Sequence, residues 1–110
     1  MEVNIGQETS KSGFAPEEIC QICEKMSEYS NISVKGFMTV PPFSTDSAKN
    51  RKIFQKMYNL SVDIMTKKYD NVRVDILSMG MSGDFKDAIA CGSTMIRVGT
   101  AIFGARDYTR

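Results

Sequence analysis

Residues 77–92 read LSMGMSGDFKDAIACG, and STMIRVGTAIFG follows at 93–104. An apolar run passes through Ser78, Gly80 and Ser82 and then gives way to helical spacing. Arg97 and the pair Gly99-Thr100 lie just beyond. Small hydroxyl residues and flexible backbone ahead of a helix suit a phosphate group, because unpaired N–H groups and the helix dipole attract an anion there. In βα barrels a phosphate often sits between the loops after the last two strands, at the start of a short helix. Two ordinary helix N-caps would use the same residues. Spacing alone leaves both readings open.

Other groups carry weaker signals. Arg97 lies in a strand between Ile96 and Val98, where an unpaired cation is costly. It could serve an anion or a ring nitrogen, or form a salt bridge to Asp75 on a neighbouring strand. Cys20-Gln21-Ile22-Cys23 matches CxxC, but a redox pair should begin a helix after a strand. This one falls inside a helix, so packing is the better reading, and Cys91 also reads as buried. There is no second pair for zinc. Lys11 could reach a phosphate from its Gly/Ser loop, with solvation as the favoured reading. Lys49, Arg51, Lys52 and Lys56 read as a wet helix face. The eight methionines fall mostly on apolar stripes, where Met fills gaps.

The whole chain bounds these readings. Its 110 residues suffice for one small domain. Fourteen basic and 13 acidic residues leave a net charge of +1, no footprint for nucleic acid or an anionic membrane. The short apolar runs cannot span a bilayer. The first residues, MEVNIGQETSKSG, lack the basic and apolar regions of a signal peptide. Three cysteines do not make a disulfide framework. A cytoplasmic, reduced protein is expected. Histidine is absent, which excludes a Ser-His or Cys-His nucleophile pair and the commonest metal ligand. No metal site is expected. An enzyme here would need Lys, Tyr, Asp, Glu, Cys or a cofactor.

The elements that must position these residues alternate. EVNI (2–5) reads as a short strand and GQETSKSG (6–13) as a loop. Pro16 opens a helix, with Glu17 and Glu18 in its first turn. Ile19, Ile22, Cys23, Met26 and Tyr29 give it one buried face. VKGFMTV (34–40) is a second strand, stopped by Pro41-Pro42. Ser44, Thr45 and Asp46 are candidate caps for a long helix whose stripe is Ile53, Met57, Leu60 and Ile64, widened by Phe54 and Met65. Asp70-Asn71 ends that unit. VRVDIL (72–77) is a third strand. A short helix over 82–91 turns Phe85, Ala88 and Ile89 inward and stops at Gly92. TMIRV (94–98) is a fourth strand, and GTAIFGARDY a tight turn into a short helical tail. The order βαβαβαβ implies an α/β fold with a parallel sheet. Four units are half of an eight-fold barrel, which typically needs about 250 residues.

LSMGMSGDFKDAI followed by GSTMIRVGTAIFGARDY closely resembles the C-terminal signature of the pyridoxal phosphate homeostasis proteins. VNIGQETSKSGF (3–14) and VKGFMTVPPF (34–43) resemble earlier segments of that family, in the same order. The resemblance covers nearly the whole chain. It implies a partial TIM barrel: about four C-terminal βα units of an alanine racemase-like, fold type III barrel holding pyridoxal 5′-phosphate (PLP). By position, Ser82 and Gly99-Thr100 would hold the phosphate, and Ser78 would line the same corner. Arg97 would face the pyridine nitrogen and keep it unprotonated, which makes the ring a poorer electron sink. Asn4 would line the pocket.

The family's members are about twice as long, and their cofactor lysine sits on an early strand. This chain starts at what resembles the fifth strand, and no lysine matches that position. Residues 1–110 are therefore expected to form a single C-terminal half-barrel that keeps the phosphate half of the site. The expected function is non-catalytic: carrying and buffering PLP in vitamin B6 homeostasis, with weak, non-covalent binding by this chain. An amino-acid racemase-like enzyme fragment and a ligand-free α/β interaction module are the alternatives. A half barrel would leave two bare sheet edges and an uncovered inner face. It would pair with itself or with a missing N-terminal half.

Overall fold

A computed structural model describes residues 1–107 of the chain. Three parallel strands form one sheet in the order β1 (Val34–Met38), β2 (Val72–Met81), β3 (Met95–Arg97). Helices connect them: α2 (Ser47–Lys67) joins β1 to β2, and α3 (Phe85–Ala90) joins β2 to β3. A 3-10 turn at Pro16–Glu18 leads into α1 (Ile19–Met26), and α4 (Thr100–Phe103) follows β3. This is the expected α/β alternation.

Capping starts α2 where Ser44, Thr45 and Asp46 were the candidates. The Asp46 side chain accepts the N–H groups of Ala48 and Lys49 at 3.0 and 3.3 Å. The helix ends at Lys68, in the left-handed region at φ 52°, three residues earlier than Asn71. Its buried line is Asn50, Phe54, Met57, Ser61 and Ile64. Ile53 and Leu60 flank that line, and Met65 is exposed. The helix axis is thus rotated slightly from the expected stripe, and two small polar residues sit against the sheet. Phe37, Phe54, Met57, Met79 and Ile19 form the closed centre of the core.

Several boundaries move for tertiary reasons. EVNI forms single parallel bridges at Glu2 and Val3 rather than a full strand. Val3 N–H donates to the Met38 carbonyl at 2.8 Å, and Met38 N–H to the Met1 carbonyl at 2.8 Å. This segment covers the outer edge of β1. Phe14 covers the segment in turn, through Asn4 N–H to Phe14 O at 2.8 Å and Phe14 N–H to Glu2 O at 3.0 Å. The expectation of two bare edges is corrected here: among the described residues only β3 is an outer strand without such a cover. On α3, Ala88 is buried but Ile89 is 53% exposed, because a helix this short presents one turn to the sheet.

The largest shift is in β2. It runs on past Leu77 to Met81, so Ser78, Gly80 and Met81 are strand and α3 starts at Phe85 rather than Ser82. Pairing with β3, Ser78 to Met95 and Met81 to Arg97, holds the extension. Gly80 makes it possible. Its φ is 105°, and a Cβ there would lie 2.8 Å from the Ala88 Cβ. A side chain would push α3 off the strand. Gly36 plays a comparable part between β1 and β2, where a Cβ would overlap the Ile76 carbonyl oxygen.

Asp87 ties α3 to α2. Its carboxylate accepts the Ser47 hydroxyl at 2.6 Å and the Arg51 Nε at 2.9 Å. These bonds, Ser47 first and Arg51 second, hold its pKa below the ordinary carboxylate value. A carboxylate whose folded pKa is depressed stabilises the fold above its unfolded pKa, and that share is lost as pH falls through the folded pKa. Asp87→Asn should therefore flatten part of the acid side of the melting temperature against pH. Scanning calorimetry of both proteins across the carboxylate range checks this, and parallel curves would contradict it.

Candidate functional site at the ends of the second and third strands

Hydroxyl groups lock the start of β3 to β2. The Ser93 hydroxyl donates to the Met79 carbonyl at 2.6 Å, and Leu77 N–H donates to the Thr94 hydroxyl at 2.8 Å. Above these lies Ser82. Its Oγ accepts the N–H of Gly99 at 3.2 Å and of Ala101 at 3.1 Å. One side chain thereby fixes the loop after β2 against the loop after β3. A serine oxygen has two lone pairs and one proton. With both acceptor positions used, the Ser82 proton is left to donate. The N–H groups of Gly83 and Thr100 have no partner among the turn, loop and cap bonds of the described residues.

A cavity of about 770 Å³ opens at this corner. Ser82, Gly99 and Thr100 form part of its wall, with Met81, Gly83 and Asp84. The Asp84 carboxylate accepts Met81 N–H at 2.7 Å, which shapes the turn into α3. At Gly99 a Cβ would meet nothing within 4 Å. Its missing side chain leaves space on the cavity side of the backbone rather than relieving a clash.

Ser78 and Arg97 are placed beside this wall, on the strands, and do not line the cavity. Ser78 is 9% exposed. Arg97 Nη2 donates to the Thr39 carbonyl at 2.9 Å and approaches the Ser78 carbonyl at 3.5 Å. The alternative salt bridge to Asp75 does not form: Arg97 stands opposite Met81 in the sheet, and Asp75 pairs with Arg73 at 3.2 Å. Arg97 Nε is buried with no partner among the described residues.

Lys11, Phe43, Phe103 and Arg106 also line the cavity. Lys11 was read as solvated and is indeed partly exposed, 4.0 Å from Glu8. Its approach to the corner depends on the pairing of Phe14 with the N-terminal segment, which no local pattern announces. Asn4 is used within its own loop, where its side chain bonds the Glu8 backbone N–H and carbonyl at 3.1 and 2.7 Å.

The cysteines are structural. Cys23 is fully buried, and burial pushes its thiol pKa up. Cys20 Sγ lies 3.4 Å from the Tyr69 hydroxyl, and that contact pushes the Tyr69 pKa up to about 12. Burial raises Cys91 as well. All three are free thiols, and the raised pKa values of Cys23 and Cys91 are the opposite of what a nucleophile needs. Among the described residues no cluster of acidic or thiol groups could hold a metal ion, and no helix is long and apolar enough to cross a membrane.

The chain is similar to proteins of known type. A pyridoxal phosphate homeostasis protein of Pasteurella multocida is 38% identical over 110 residues, all of this chain and 47% of the relative. The chain thus spans about half the length of the curated relatives it matches. PipY of Synechococcus elongatus PCC7942, solved without PLP, superposes with a TM-score of 0.85 at 28% identity, over 94% of this chain and 48% of that one. PipY with PLP bound superposes with a TM-score of 0.78 at 26% identity, over 94% and 49%. The alanine racemase N-terminal domain model matches residues 1–107. The parallel α/β fold, the resemblance read from the C-terminal motif and this match agree: the chain belongs to the alanine racemase N-terminal domain family.

Proposed function

We propose that this chain forms the phosphate-binding half of a PLP site in vitamin B6 homeostasis and handles the cofactor without turning over a substrate. Ser82 supports this reading most directly. Its oxygen is saturated by two backbone N–H groups, so its proton is directed to an added acceptor. A phosphate oxygen is the strongest such acceptor. Gly99 and Thr100 complete the corner, one by leaving space and the other with a free N–H and a hydroxyl. Ser78 adds a hydroxyl beneath. The unspent Arg97 Nε fits a ring nitrogen that accepts a hydrogen bond, and a charged guanidinium there disfavours protonation of that nitrogen. PLP, when bound, supplies an aldehyde that reacts reversibly with amines. The residues named here hold and orient it and keep its ring a poor electron sink.

Residues 1–110 make one domain in this reading, the C-terminal half of an eight-fold barrel, in a cytoplasmic setting. No lysine occupies the family's covalent position, so binding by this chain is weak and non-covalent. A racemase-like enzyme would need that lysine and a proton-transfer base. A ligand-free module would leave Arg97 Nε and the Ser82 proton without purpose.

Absorbance titration with PLP should show a saturable change in the folded chain. Ser82→Ala should weaken it about tenfold, the scale of one hydrogen bond to a charged group. Gly99→Val, which fills the corner, should weaken it at least as much. Unchanged affinity in both would remove the proposed corner.

The open edge of β3 and the exposed Met95, Ile96, Ile102 and Phe103 suit pairing with a second copy or with an N-terminal half of the barrel. Sedimentation of the isolated chain should reveal self-association, or unfolding with low cooperativity. A monomer that unfolds in one sharp transition would count against the half-barrel.

A further inference from the structure

Thr39 is a polar residue in the driest part of the fold, one position past the end of β1. It has no exposed surface, and a valine would fill the same space without a hydroxyl to desolvate. All three of its polar groups are engaged. The hydroxyl donates to the Val3 carbonyl at 2.7 Å. The backbone N–H donates to the Ser78 carbonyl at 3.1 Å. The carbonyl accepts Arg97 Nη2 at 2.9 Å. Beyond Thr39 the chain soon reaches Pro41-Pro42, which have no N–H and cannot continue a strand ladder. The direction of the Thr39 carbonyl is therefore set at Thr39 itself, by its N–H on the β2 side and its hydroxyl on the side of the N-terminal segment. Arg97 depends on that carbonyl. Its Nη2 approaches the Ser78 carbonyl only at 3.5 Å, and the Thr39 N–H already shares that oxygen. Nε is buried without a partner among the described residues. A long side chain with many rotamers keeps Nε on one line only while its far nitrogen is anchored.

From this geometry, which rests on the reading of Arg97 above, we infer that Thr39 is a positioning residue. Its hydroxyl, through the Val3 carbonyl, fixes the direction of the Thr39 carbonyl, and that carbonyl holds the Arg97 guanidinium with Nε directed at the pyridine nitrogen. Thr39 does not line the cavity, so it acts through the arginine and not on the phosphate. The N-terminal segment thereby helps to keep the ring nitrogen unprotonated.

The test compares Thr39→Val, which keeps the volume and removes the hydroxyl, with Thr39→Ser, which keeps the hydroxyl, and with Arg97→Ala. The backbone amide spectrum shows that each is folded. The first readout needs no ligand: hydrogen exchange at Arg97 Nε–H. It should be at least about fivefold faster in Thr39→Val, the factor that one lost hydrogen bond gives, and stay at the wild-type rate in Thr39→Ser. The second is the ring nitrogen signal of 15N-labelled pyridoxine 5′-phosphate, whose alcohol forms no bond with lysines. At neutral pH the bound probe should give the unprotonated signal in the wild-type chain and the protonated one in Arg97→Ala. Thr39→Val should move it toward Arg97→Ala, and Thr39→Ser should restore it. An unchanged exchange rate in Thr39→Val overturns the inference, and so does a serine variant that behaves like the valine one. If Thr39→Val does not fold, Thr39→Ser and Thr39→Ala make the same comparison, since they differ only by the hydroxyl. If the ring signal is the same in the wild-type chain and Arg97→Ala, the reading of Arg97 fails and takes the inference with it. A probe that does not bind the folded wild-type chain removes the phosphate corner instead, and the exchange rates then decide whether Thr39 holds the arginine.

Discussion

The hydroxyl of Ser82 holds the functional end of this molecule together. It accepts two backbone N–H groups from the far loop, which ties the turn after β2 to the start of α4. Each such bond contributes on the order of 1 kcal/mol net, too little to build a fold. Its effect is positional. It brings the free N–H of Thr100, the open side of Gly99 and its own proton to one corner. The corner is therefore a consequence of one short polar side chain at the right depth.

That depth is set by the sheet. β2 must run to Met81 for Ser82 to stand above β3, and the extension depends on Gly80 admitting α3. Ser93 and Thr94 then pin the start of β3 to β2 through backbone atoms. Below them, Thr39 spends its hydroxyl on the Val3 carbonyl at 2.7 Å and offers its own carbonyl to Arg97. The N-terminal segment, β1 and the arginine are thus joined through one buried threonine. Packing of Phe37, Met79 and Phe54 makes the sheet rigid enough for these short contacts to keep their geometry.

Much of this was legible in the chain itself. Pro16, Asp46 and the paired prolines at 41–42 mark the boundaries of elements through purely local chemistry, and the structure keeps those boundaries within a few residues. The motif around Ser82 and Gly99 pointed to the family. Illegible were the features that only tertiary pairing creates. Ser78, Gly80 and Met81 have poor strand propensity and become strand because β3 pairs with them. Arg97 meets two backbone carbonyls rather than Asp75 because the register sets it opposite Met81, six residues along β2 from that carboxylate. Lys11 and Arg106 stand far apart in sequence, so no spacing rule could have brought them to one cavity.

Phosphate binding by the paired loops after β2 and β3 is what the proposed role rests on. The most direct measurement is the backbone amide spectrum of the isotopically labelled chain during titration with PLP. Saturable shifts should be largest at Ser82, Gly83, Gly99 and Thr100, with a matching change at Arg97 Nε–H. Shifts confined to other parts of the chain, or none in a folded sample, would contradict it.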